Sequence, residues 1–129
     1  MKELLKKLQY HSSFSPVLSV NTPIHLLPML EHMEAEIHAH QKADDYAYIL
    51  LFIEDEIAFD RELEKYSVLA KKDGMFILCY SKKIAEDTFE PKLNEKFLWT
   101  ALQPLGFTAL STCDIDNNWQ AIAYKKVRV

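Results

Sequence analysis

Glycine is almost missing from this chain. There are two in 129 residues, Gly74 and Gly106. A turn that cradles a phosphate or lets a nucleotide lie against the backbone needs glycine, because any side chain would hold the ligand off. Both glycines stand where a helix should end, so none is left for such a turn. Long apolar runs are missing too. No stretch approaches the roughly 20 residues that cross a bilayer. The opening MKELLKKLQY is broken by charge and lacks a small-residue cleavage site, so it does not read as a secretory signal. There is no basic stripe, and the net charge is −4, which argues against nucleic acid as a partner. Cysteine is limited to Cys79 and Cys113, both inside apparent strands with no histidine nearby. They read as buried, reduced thiols. A cytoplasmic protein, spanning residues 1–129 as one domain, is the expectation.

What is present is a strong alternation of buried strand and amphipathic helix. Tyr46 to Ile53, YAYILLFI, is apolar throughout, which suits a strand covered on both faces. Phe59, Leu63, Tyr66 and Ala70 follow at helical spacing. Asp73-Gly74 should end that helix, with Gly74 in the left-handed conformation. Met75 to Tyr80 is a second buried run. Strand, helix and strand in this order make a βαβ unit and a parallel sheet. Before it, Lys2 to Leu8 reads as a short amphipathic helix and Val17 to Val20 as a strand. Asn21-Thr22-Pro23 looks like a helix start. Pro28 requires a broken turn ahead of it or a helix that begins near it. Ala35 to His40 reads as a short edge strand. After the central unit come a polar loop from Ser81 to Pro91 and a helix over Leu93 to Gln103, closed by Pro104 and Gly106. Strands follow over Thr108 to Ile115 and Trp119 to Val127. The tight turn at Asp116 to Asn118 makes those two antiparallel.

Candidate chemistry is sparse. The turn after the first strand, Ser19 to Ile24, contains no glycine, and the second strand ends in His40-Gln41 where a ribose-holding acid would stand. No cofactor is therefore expected. His38 and His40 leave one face of a strand, but no third ligand shares their spacing, so no metal site is read and surface histidines are the plainer account. Glu54-Asp55-Glu56 ends the central strand, where a catalytic carboxylate can sit; acidic residues at a helix N-terminus explain it equally. Ser81-Lys82-Lys83 offers two ammonium groups to an anion, or simply a solvated loop.

The order of elements resembles the C-terminal half of class I methyltransferases and, more closely, a bacterial family of short methyltransferase-like proteins of unknown function. The segments that carry the resemblance are Val17 to Pro23, Phe52-Ile53, Gly74 to Ile77 running into Ser81-Lys82, Leu105-Gly106-Phe107, and Asp116 three residues before Trp119. The resemblance implies a three-layer, Rossmann-like α/β sandwich around a mostly parallel six-stranded sheet of order 2-1-3-4-6-5, with the last strand antiparallel. It implies no reaction, because fold does not carry function. In such a sheet the crevice opens where the strand order reverses, between strands one and three. Asn21 and Thr22, Glu54 and Asp55, and Ser81, Lys82 and Lys83 stand at those strand ends and are the candidate ligand residues. The functional expectation is a protein that acts by binding or interaction, without methyltransferase activity and without useful affinity for S-adenosylmethionine. The alternative is an enzyme or small-ligand binder using this cleft. A small polar or anionic ligand and a homo-oligomer are both compatible with the sequence.

Overall fold

The computed structural model describes residues 2–82 and 95–128. Its helices are α1 (Lys2–Lys7), α2 (Leu27–Glu31), α3 (Glu56–Ser67) and α4 (Glu95–Leu102). Its strands are β1 (Val17–Val20), β2 (Ile37–His38), β3 (Tyr46–Ile53), β4 (Ala70–Ser81), β5 (Phe107–Asp114) and β6 (Trp119–Lys126). The sheet order is β2-β1-β3-β4-β6-β5. The pairs β1–β2, β1–β3 and β3–β4 are parallel, and β6 runs antiparallel to both β4 and β5. The fold class, the strand order and the antiparallel final strand are as the sequence led us to expect.

The period of two in the central strands builds the three layers. On β3, Ile49, Leu51 and Ile53 face one side, together with Phe76, Leu78 and Tyr80 of β4; α3 covers them with Phe59, Leu63 and Tyr66, and α4 with Leu98 and Leu102. The alternate residues Tyr48, Leu50 and Phe52, with Met75, Ile77 and Cys79, face the other side under Leu5 and Leu8 of the α1 segment and Met29 and Leu30 of α2. No helix among the described residues is long and apolar enough to cross a membrane.

Local differences from the sequence reading have physical causes. Helix α3 ends at Ser67, and Ala70 already belongs to β4, a strand of 12 residues that contains Asp73 and Gly74. Gly74 therefore ends no helix; Asp73 takes the left-handed conformation, with φ 66. Gly74 is needed for a different reason. A Cβ there would lie 2.9 Å from the Lys71 carbonyl and 3.0 Å from that of Ala47, beside the register shift between Tyr46 and Tyr48, so the two backbones can touch only without a side chain. Gly106 does close its helix, with φ 95 after the 3-10 turn Gln103–Leu105. Pro28 splits its segment as required, into a 3-10 turn Ile24–Leu26 and then α2. The edge strand shrinks to two residues. His38 is buried, not a surface group: the Tyr46 hydroxyl is 2.7 Å from its Nδ1 and accepts from the backbone N–H groups of Lys42 and Ala43 at 2.9 and 3.1 Å. Cys79 and Cys113 both pair with Ala121, from opposite sides of β6. Two strand spacings put their backbones about 10 Å apart, beyond the reach of a disulfide.

Candidate functional site

The parallel strands β1 and β3 both end at the rim where the order reverses. Leu18, Ser19 and Val20 pair with Ile49, Leu50 and Leu51, so Asn21 and Glu54 leave the sheet at the same end. Asn21 turns the chain with φ 60. Asparagine is one of the few residues besides glycine that visit that left-handed conformation. The turn thus forms without glycine, but it keeps a side chain at the mouth of the crevice. Helix α3 starts directly after β3. Asp55 is its N-cap, with Oδ1 accepting from the Ala58 N–H at 2.7 Å.

These ends enclose a cavity of about 280 Å³, lined by Asn21, Phe52, Glu54, Asp55, Ala58 and Arg61. Its chemistry is mixed. Asn21 brings an amide, Glu54 and Asp55 two carboxylates, and Arg61 a guanidinium. The Asn21 amide and the Glu54 carboxylate have no hydrogen-bond partner among the described residues, and Arg61 uses only Nε, 3.3 Å from Glu62 Oε1. Asp55 keeps Oδ2 after capping the helix. Phe52 forms the floor, buried to 1% exposure.

The other proposed residues lie apart. The Thr22 hydroxyl is turned back onto the Ser19 hydroxyl at 2.5 Å. Ser81 is the last residue of β4 and pairs with Trp119 of β6. Lys82 is drawn to the β5–β6 hairpin: its N–H donates to the Asn118 carbonyl at 2.8 Å, and its Nζ lies 3.0 Å from Asp114 Oδ1 and 3.2 Å from the Asp116 carbonyl. Lys83 lies outside the described residues. The structure therefore brings Asn21, Glu54 and Asp55 into one cavity and places Thr22, Ser81 and Lys82 in contacts of their own.

Arg61 is the residue that sequence reasoning missed. Asp55, Ala58 and Arg61 succeed one another at three-residue steps, so they share one face of the first turns of α3. That spacing was a usable signal. A second contact was also unforeseen: His25 Nε2 lies 2.9 Å from Asp116 Oδ2, tying the 3-10 turn after β1 to the hairpin. Asp116 Oδ1 meanwhile accepts from the N–H groups of Asn118 and Trp119 at 2.7 and 2.8 Å. Burial raises the Asp116 pKa, but these donors and the His25 ring outweigh it and hold the carboxyl below its usual value. Burial, reinforced by Cys113, pushes Cys79 well up, and burial raises Cys113 against the pull of Lys7.

The second strand bears on any nucleoside ligand. β2 pairs only with Val17 and Leu18, so it stops two residues, roughly 7 Å, below the rim that β1 reaches.

No protein-family model and no curated protein sequence matches the chain. Solved structures do resemble it. It is similar to a SAM-dependent methyltransferase from Aquifex aeolicus, with TM-score 0.61 and 15% identity over 98% of this chain and 89% of the other. It is also similar to the N-methyltransferase NodS from Bradyrhizobium japonicum WM9, with TM-score 0.57 and 9% identity over 98% and 94%. The PH0226 protein from Pyrococcus horikoshii OT3 aligns with TM-score 0.50 and 10% identity over 97% and 90%. The fold is that of SAM-dependent methyltransferases. At these identities the likeness is one of fold alone.

Proposed function

We propose that this chain is a binding protein for a small polar molecule held in the β1–β3 crevice, and that it does not transfer methyl groups. The reading rests above all on the lining of that crevice, where two carboxylates, an amide and a guanidinium meet with their polar atoms largely unpartnered among the described residues. Groups of both signs around one cavity suit a ligand that carries both signs itself. An ammonium would be taken by Glu54 and the second oxygen of Asp55, and a carboxylate by the terminal nitrogens of Arg61 in the bidentate geometry that guanidinium favours. A small zwitterion, such as an α-amino acid, answers that description. The volume of about 280 Å³ falls just under the usual range of small-molecule sites, about 300–1,000 Å³, which limits the ligand to a small one.

The fold likeness favours one other reading, an enzyme that uses S-adenosylmethionine. Two features weigh against it. Asn21 carries a side chain where the backbone would have to approach the nucleoside, and β2 ends short of the rim. Isothermal titration decides between the readings. The expected result is saturable binding within a panel of α-amino acids, and none for S-adenosylmethionine. A dissociation constant in the low micromolar range for S-adenosylmethionine would overturn the proposal.

A further inference from the structure

The two edges of the sheet are built differently. On one side β2 is only two residues long, and a very short edge strand gives another chain little to pair with. On the other side β5 runs for eight residues, Phe107–Asp114. From Phe107 to Cys113 it reads FTALSTC, with no lysine, proline or glycine and no charge. Its inner edge pairs with β6. Its outer backbone groups have no partner among the described residues. Among the described residues, the hydrogen bonds between the α1 segment and β5 run through the Ser111 side chain, which lies 3.4 Å from Gln9 Nε2 and 3.5 Å from the Lys7 carbonyl. Among the described residues the edge is interrupted by a register shift between Ala109 and Ser111, and the Leu110 side chain there is 49% exposed. Trp99 of α4 shares cavities with Phe107, Thr108 and Ala109 and is itself 42% exposed. An exposed tryptophan beside an unpaired strand is the residue type that anchors interfaces, and the exposed leucine adds apolar area next to it.

The charges at the two ends of β5 are opposite. Its Phe107 end adjoins Lys125, Lys126 and Arg128: Phe107 pairs with Lys126, Thr108 with Lys125, and the Arg128 N–H donates to the Gly106 carbonyl. No carboxylate among the described residues pairs with any of these three cations. Its other end carries Asp114, which stays exposed although Lys82 lies beside it, and, two residues on, Asp116, which is held by His25. We propose that β5 is a self-docking edge, on which a second copy of this chain adds its own β5 antiparallel about a two-fold axis between Leu110 and Ser111. That register sets Asp114 of each copy against the Phe107 end of the other, so the acidic end meets the basic end twice. A two-fold interface requires such self-complementarity. The product is a continuous sheet through both copies, with the two Leu110 side chains near the axis and each Trp99 flanking the new ladder.

Sedimentation velocity on the full chain over a concentration series tests this. The expected result is a reversible rise from 15.0 kDa to twice that mass, with slowed amide exchange in β5. Leu110→Lys should raise the dimer dissociation constant by at least about tenfold. A charge-swap series covers the case in which that variant folds poorly. Asp114→Lys and Arg128→Glu should each weaken the dimer, and the two together should restore it. A monomer at every concentration would overturn the proposal. So would a dimer indifferent to Leu110→Lys and to both charge reversals, since its interface would lie elsewhere.

Discussion

The central pair of strands and the rim above them differ in how far their groups are already committed. In β3 and β4 each buried side chain has a neighbour on its own face, and even the polar ones are answered: the Tyr48 hydroxyl donates to the Leu8 carbonyl at 2.7 Å, and the Tyr46 hydroxyl gathers a histidine and two backbone N–H groups. At the rim, just past the ends of β1 and β3, the Asn21 amide and the Glu54 carboxylate bond to no described residue, and Arg61 on α3 spends one nitrogen of three. The first region is explained by stability alone. At the rim, exposed groups of both signs share one cavity, with Arg61 beside Glu62, Asp55 capping Ala58, and the rest of their bonding capacity open to solvent. That difference is the physical reason for reading the rim as a binding site.

Substitutions of graded effect sharpen or break the contrast. The largest loss should come from Leu50→Ala, since Leu50 is fully buried between its face and the α1–α2 layer. Removing it leaves a cavity worth about 2–5 kcal/mol. Urea unfolding measures this, and a loss below about 1 kcal/mol would mean the central strand is not the core it looks to be. Tyr46→Phe comes next. It strips the acceptor from two backbone N–H groups and the partner from His38, for about 1–3 kcal/mol; an unchanged midpoint would show that water replaces the hydroxyl without cost. Asp55→Ala removes the α3 cap and should cost about 0.5–2 kcal/mol, visible in the thermal midpoint. Its neighbour supplies the control. Glu54→Gln should change stability by less than about 0.5 kcal/mol while abolishing amino-acid binding by calorimetry. A destabilisation as large as that of Asp55→Ala would return Glu54 to a purely structural role.

The smallest effect is a pH dependence. Asp116 is held below its ordinary value in the folded protein by Asn118, His25 and Trp119 against the cost of burial. A carboxyl depressed by folding adds stability above its unfolded pKa, and that contribution disappears as pH falls through the folded value. Below about pH 4 the parent should lose stability more steeply than Asp116→Ala. Parallel curves in that range would mean that the hairpin contacts do not survive in solution.

The fold was legible because burial writes itself into sequence. YAYILLFI, short and rich in aromatic and branched side chains, reads as a two-sided strand, and the tight Asp116–Asn118 turn forced an antiparallel pair. The boundary of α3 was not legible: Ala70 fits both the helical spacing and the strand that follows, and tertiary pairing with Tyr46 settles it. The rim was half legible. Strand ends located Asn21, Glu54 and Asp55, but the direction of a side chain beyond a strand depends on partners distant in sequence. Lys82 is turned away from the crevice by Asp114, which lies 32 positions further on. Thr22 is taken by Ser19, and a serine and a threonine three positions apart are too common for their hydroxyl contact to be foreseen. Arg61 was hidden among the charges of a solvated helix, although its three-residue steps from Asp55 placed it on the crevice face.

The central claim is that the β1–β3 crevice takes a small molecule bearing both signs of charge. Amide chemical-shift mapping of the parent chain and of Arg61→Gln, titrated with the same panel of α-amino acids, tests it most directly. Shifts should cluster at Asn21, Glu54, Asp55 and Ala58 in the parent chain and be lost in Arg61→Gln, with the rest of the spectrum unmoved. Shifts confined to the β2 edge around His38 and His40, or a crevice response identical in Arg61→Gln, would contradict it.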